Sequence, residues 1–231
     1  MSNLEETRLL VRLFRVFGSC MKNRHTPVAL EGVPFIAIGF VVAALLAPFA
    51  PFLAVFPLLF GLFSLYFFRN PGRKTPDAAN GVIAPADGTV IFAGPARDEF
   101  TGSDALKISI FMSVLNVHIN RVPVTGTIIA KTHRPGRFLD VRDDRATFEN
   151  ERLALLIRTD GGRQITVVQV AGLIARRIVC YPTAGERVTA GERYGLIRFG
   201  SRLDIYLPIG SDITVSRGDR TIAGETIIGR L

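Results

Sequence analysis

The sequence predicts a mainly β body behind an N-terminal apolar helical hairpin. Three observations carry this. No charged residue occurs from Gly32 to Phe68, and Pro48 and Pro51 interrupt the middle of that stretch. Past Arg73 the chain changes to short runs of period two. Those runs are separated by Gly, Pro and Asp, the punctuation of strands and tight turns. The division falls at residue 76: 1–76 is a basic segment with the apolar hairpin, and 77–231 is the β-rich domain.

A single helix through the apolar stretch would be about 55 Å long at 1.5 Å per residue. A bilayer core is only about 30 Å thick. The prolines therefore divide it into two helices, about residues 33 to 48 and 52 to 68. Each is slightly short for a span, so a re-entrant hairpin and two full crossings both remain open. The stretch begins too late and runs too long for a cleaved signal peptide. Arg8, Arg12, Arg15, Lys22 and Arg24 precede it, and Arg69, Arg73 and Lys74 follow. Positive charge on both flanks assigns both ends to the cytoplasm. Arg8, Arg12 and Arg15 share one side of a helix, away from Leu9, Leu13, Val16 and Phe17. That side is either a basic face for an anionic lipid surface or an ordinary solvated face.

In chain order the strand-like runs are "GVIAPADGTVIFAG", "ALKISIFM", "VTGTIIAK", "LALLIRT", "QITVVQVAG", "GLIRFGSRLDIYLP" and "DITVSRGDRTIAGETIIGRL". Many short strands at near-regular spacing indicate a barrel or sandwich. One run has a residue out of place. Ile197, Phe199, Ser201, Leu203, Ile205 and Leu207 alternate as the inward face of one half-buried strand, with Arg198, Gly200, Arg202, Asp204 and Tyr206 on the other face. Ser201 sits in an apolar slot directly after glycine. Gly-Ser at the centre of a type II′ hairpin, or a serine bonded to backbone, would account for it structurally.

The net charge of +8 and pI near 10.2 point to an anionic partner. The chain has no Trp, only four Tyr, and basic residues spread along its length, which speaks against nucleic acid and for a lipid surface. Cys20 and Cys180 stand alone and far apart, and His25, His118 and His133 are scattered. No disulfide framework and no metal site is expected.

Two stretches resemble each other: "AGERVTAGERYGLIRFG" and "VSRGDRTIAGETIIG". Each has a Gly-(Glu/Asp)-Arg turn, then Ala-Gly, then a glycine-punctuated strand. The pattern resembles the half-motif of lipoyl-like barrel-sandwich domains, so a barrel-sandwich body is expected. Those domains carry a swinging lysine, and no lysine follows Lys131, which argues against a carrier role. A non-enzymatic, membrane-anchored barrel-sandwich adaptor is the alternative function from a different class.

Three more segments hold residues suited to chemistry. "FFRNPGRKTP" closes the hairpin, "IAPADGTV" puts Asp87 in a turn, and "FMSVLNVHINRVPVTG" puts His118 in an apolar run. Taken singly, Asp87 reads as a turn residue and His118 as a core histidine. Together with "FGSRLDIYLP" the segments resemble the phosphatidylserine decarboxylases in their short bacterial proenzyme form, from the hairpin to the C-terminus. The resemblance implies self-cleavage between Gly200 and Ser201 into a large chain, 1–200, and a small chain, 201–231. It implies that Ser201 becomes a covalent pyruvoyl cofactor, which accepts the amine of phosphatidylserine and acts as the electron sink for CO₂ loss. His118 is the candidate for acid–base work, and Asp87 for orienting a histidine or assisting cleavage. Longer relatives carry a second histidine where this chain has Arg121. The implied partners are an anionic phospholipid and the membrane, on the cytoplasmic face of the cell membrane. The oligomeric state stays open, a homo-oligomer included.

Overall fold

The computed structural model describes residues 26–78, 80–142, 145–172, 177–198 and 201–231. The basic segment with Arg8, Arg12, Arg15, Lys22 and Arg24, together with Cys20, His25, Phe199 and Gly200, lies outside the described residues.

The apolar hairpin is present as α1, Val33–Leu46, and α2, Pro51–Phe67. Each has a proline in its first turn, where the missing N–H is not needed by the helix. The two axes meet at Gly39 and Gly61. A Cβ on Gly39 would lie 2.6 Å from the Gly61 Cα, so only glycine permits this approach. Ala43 and Ala54 are buried as well, while Phe49 and Phe52 at the tip are 87% and 77% exposed. Small residues inside and large apolar residues outside invert the pattern of a soluble helix pair. At 14 and 17 residues the helices extend about 21 and about 26 Å. No helix among the described residues is long and apolar enough to cross a membrane.

Among the described residues the body has fourteen strands. In chain order they are β1 (Gly81–Ile83), β2 (Gly88–Arg97), β3 (Asp104–Met112), β4 (Ile119–Arg121), β5 (Gly126–Arg134), β6 (Arg152–Thr159), β7 (Gln164–Ala171), β8 (Ile178–Cys180), β9 (Arg187–Val188), β10 (Arg193–Ile197), β11 (Ser201–Pro208), β12 (Asp212–Ile213), β13 (Arg220–Thr221) and β14 (Ile227–Arg230). A curled eight-stranded sheet has the order β13-β2-β3-β11-β7-β6-β5-β9, and two three-stranded sheets have the orders β1-β14-β12 and β4-β10-β8.

These orders are symmetric about the β11–β7 pair, so the body is two similar halves. One half is β1–β3 with β11–β14; the other is β4–β10. The halves exchange hydrogen bonds: the Ile83 N–H donates to the Pro123 carbonyl, and the Arg121 N–H donates to the Pro85 carbonyl, both at 2.9 Å. The repeated turns of the sequence are the same turn in each half. Gly185 and Gly218, then Gly191 and Gly224, all have φ between +80° and +101°, which side-chain-bearing residues rarely adopt.

The halves differ at one place. In the second, β6 runs into β7 through a tight hairpin, with Arg158 opposite Gln164. In the first, the equivalent strands β3 and β11 pair but are not joined. Met112 ends β3 opposite Ser201, which begins β11. The chain leaves β3 there toward His118, and β11 begins there.

This corrects the reading of "GLIRFGSRLDIYLP" as one half-buried strand. β10 and β11 belong to different sheets. The two strands therefore do not pair as a Gly-Ser hairpin would require. β11 is the central strand and is buried on both faces. Its second face carries Arg202, Asp204 and Tyr206, covered by Val141 and Thr147. Asp204 lies 3.2 Å from the Lys107 ammonium and accepts from Arg202 at 3.0 Å. Burial pushes its carboxyl up, but Arg202 and Lys107 outweigh that and hold it below the usual carboxylate range.

Candidate functional site

Ser201 is wholly buried at the head of β11. Its Oγ contacts the Met112 sulfur at 3.5 Å and makes no hydrogen bond to backbone among the described residues. A thioether is a weak acceptor, so this hydroxyl is barely engaged. The strand behind it is firmly held: β11 pairs from Ser201 to Pro208 with β3 and from Ser201 to Tyr206 with β7.

His118 follows the loop that leaves β3 and is also buried. Its ring lies against Phe67 at the end of α2, with centroids 4.3 Å apart. The loop is tied to the same helix end: Tyr66 Oη and Arg69 Nη2 both donate to the Leu115 carbonyl, at 3.0 and 2.9 Å. Leu115 itself is 66% exposed. The foot of the apolar hairpin therefore supports the loop that runs from β3, beside Ser201, to His118.

His118 Nδ1 lies 3.0 Å from the Asn116 carbonyl oxygen. A carbonyl only accepts, so Nδ1 carries the hydrogen and Nε2 of the neutral ring carries the lone pair. Burial pushes the imidazole down from 6.5 to about 4; the Asn116 contact opposes this and the Arg69 charge reinforces it. A histidine kept neutral when folded binds fewer protons than the unfolded chain between those two values. Stability is therefore complete above about pH 6.5 and falls as the pH drops toward 4, by on the order of 3 kcal/mol from this residue. Denaturant titrations across that range should show the slope, and His118→Gln should reduce it. An unchanged slope would contradict the assignment.

Asp87 is held elsewhere. Its Oδ2 accepts from Arg73 Nη2 at 2.7 Å and its Oδ1 from the Ala223 N–H at 2.7 Å. In the other half Thr125 takes the same position and accepts from the Ala190 N–H at 3.1 Å. Asp87 thus clasps the repeated turn and anchors the segment leaving the hairpin; no hydrogen bond among the described residues joins it to His118 or Ser201. Arg121 belongs to the same strap. It donates to the carbonyls of Gly191 and Pro71, both at 2.9 Å, and to Asn70 Oδ1 at 3.3 Å.

Sequence reasoning missed two residues beside Ser201. Gln169 Nε2 donates to Asn120 Oδ1 at 2.8 Å, and Asn120 Nδ2 lies 3.7 Å from the Met112 sulfur that Ser201 also touches. Both amides are wholly buried. The available signal was of the kind that marked Ser201: a polar letter inside the apolar run "ITVVQVA". Two surface cavities, of about 600 and 400 Å³, are lined by neither Ser201 nor His118; the smaller contains Arg73, Arg121 and Arg193.

The sequence matches the family described as phosphatidylserine decarboxylase over residues 60–229. Curated relatives named phosphatidylserine decarboxylase proenzyme include one from Geobacter metallireducens, 57% identical over 217 residues, covering 91% of this chain and 100% of the relative. Another, from Geobacter sulfurreducens, is 58% identical with the same coverage. A third, from Paraburkholderia xenovorans, is 50% identical over 213 residues, again covering 91% and 100%.

Proposed function

This chain belongs to the phosphatidylserine decarboxylase family, and on that premise we propose that it converts phosphatidylserine to phosphatidylethanolamine with a pyruvoyl group made from its own Ser201. The observation that carries the reading is the buried, weakly engaged Ser201 hydroxyl at the unjoined corner between β3 and β11. The adaptor alternative explains neither that hydroxyl nor the buried histidine on the loop that leaves β3.

The formation of the group balances as follows. Ser201 Oγ attacks the Gly200 carbonyl carbon, the C–N bond breaks, and the amide becomes an ester. Elimination across the Ser201 Cα–Cβ bond releases Gly200 as a carboxylate and leaves dehydroalanine. Water then replaces its nitrogen, which departs as ammonia. The small chain, β11–β14, stays in place through the pairings of β11 with β3 and β7, β13 with β2, and β14 with β1.

Ser201 is a fitting position for the group, since it begins a clamped strand and is wholly buried. A pyruvoyl group there supplies a ketone for the substrate amine and an electron sink for the departing carboxylate. His118 moves a proton at Nε2, and its burial keeps that nitrogen unprotonated at neutral pH. Asp87 acts through Arg73 as a positioning residue for the hairpin exit. Purified protein incubated with phosphatidylserine vesicles should release CO₂ and form phosphatidylethanolamine. Prior treatment with phenylhydrazine should abolish both, and activity unaffected by carbonyl reagents would refute the pyruvoyl reading.

The hairpin dips into the cytoplasmic face of the cell membrane with both flanks on that side. Helices of 14 and 17 residues favour the re-entrant arrangement over two crossings. Burying a phenylalanine contributes about 1.5–3 kcal/mol. Phe49→Glu combined with Phe52→Glu should therefore weaken co-sedimentation with anionic vesicles by at least about tenfold. Undiminished binding would show that the tip does not enter the lipid.

A further inference from the structure

Gln169 has one polar atom in use and one idle. Nε2 lies between two acceptors, Asn120 Oδ1 at 2.8 Å and the Val179 carbonyl at 3.3 Å. Only a donor suits both, so the amide orientation is fixed and the other atom, Oε1, is an acceptor. That oxygen is buried with no hydrogen-bond partner among the described residues. Buried amides are normally satisfied, and an idle acceptor lowers stability unless something occupies it.

The idle oxygen belongs to the Ser201 centre. β7 pairs with β11 so that Ala171 faces Ser201 and Gln169 faces Leu203. Gln169 is therefore the diagonal neighbour of Ser201 on the same sheet face, within reach of a long side chain. Its partner Asn120 shares the Met112 sulfur with Ser201.

We propose that Gln169 Oε1 binds the amino group of the substrate's serine headgroup and presents it to the ketone at position 201; this rests on the pyruvoyl reading above. The headgroup's phosphate and carboxylate groups only accept hydrogen bonds at neutral pH. Its ammonium is the donor, and an idle buried acceptor matches that group alone. Asn120 holds the Gln169 amide in the required orientation.

The test compares wild type, Gln169→Met and Gln169→Glu, each purified as the cleaved protein. Borohydride reduces the ketone without any amine, and mass analysis reads the gain of two hydrogens. Cyanoborohydride with a soluble short-chain phosphatidylserine reads capture of the amine. Expected are equal borohydride reduction in all three, and amine capture slowed roughly 10- to 100-fold in Gln169→Met with a raised KM, the effect of losing a hydrogen bond to a charged group. Gln169→Glu, wholly buried between two acceptors, is held as the neutral acid; its O–H replaces the donor toward Asn120, its other oxygen remains an acceptor, and capture should stay within about threefold of wild type. Capture at the wild-type rate in Gln169→Met, or equal losses in both variants, overturns the proposal. If Gln169→Met does not accumulate as cleaved protein, Gln169→Glu decides: capture near wild type supports the proposal, and a loss beyond about tenfold overturns it. A wild type without a reducible ketone fails at the earlier step and overturns the pyruvoyl reading itself.

Discussion

Ser201→Ala should yield one uncleaved chain of 25.3 kDa with no decarboxylase activity. In the proposed scheme the hydroxyl oxygen attacks the Gly200 carbonyl and then leaves with Gly200 in the elimination that creates the pyruvoyl precursor, so its removal blocks both steps at once. The structure makes the result interpretable. Ser201 is fully buried, and the one hydrogen-bond partner of its Oγ among the described residues is a methionine sulfur. Replacing it by alanine removes a weakly engaged hydroxyl from an apolar slot, a change that should leave stability nearly unaltered. The variant should therefore melt close to the wild-type precursor while being inert. Decarboxylation by an intact Ser201→Ala chain would refute the assignment.

His118→Ala should lower turnover by about 10² to 10⁴, the usual contribution of a positioned acid–base group. The residue lies between the hairpin foot, through Phe67, and the loop leaving β3 beside Ser201. Chain cleavage and decarboxylation can be scored separately. A cleaved variant with low turnover confines His118 to the decarboxylation. An uncleaved variant adds the activation of Ser201 to its work. Cleavage with near-normal turnover would make His118 a packed core residue whose neutrality is only a consequence of burial.

The parts legible in the sequence were those written in local pattern. The uncharged stretch with Pro48 and Pro51 at its middle marked the hairpin, and the alternating runs marked the strands. The paired turn motifs marked the two halves, because a glycine at positive φ leaves a visible letter. The odd register of Ser201 marked the candidate site. What stayed hidden depends on contacts distant in sequence. Arg202 and Asp204 read as a solvent face, yet they are buried because Lys107 and the segment around Val141 cover them. The break between β10 and β11 follows from the interleaving of the halves, which no local period records. Asp87 read as a candidate for orienting a histidine or assisting cleavage; its contacts with Arg73 and the Ala223 N–H join segments that no local pattern connects. Gln169 escaped notice because a single amide in a strand carries meaning only once Asn120 and Ser201 are seen beside it.

A chain that makes its own cofactor from Ser201 must carry the product at a new N-terminus. Intact-mass analysis of the purified wild-type protein tests this most directly. Expected are two chains, residues 1–200 and 201–231, the smaller resistant to N-terminal sequencing and lighter by one ammonia than the peptide beginning with serine. A single active chain of 25.3 kDa, or a small chain with a free N-terminal serine, would contradict it.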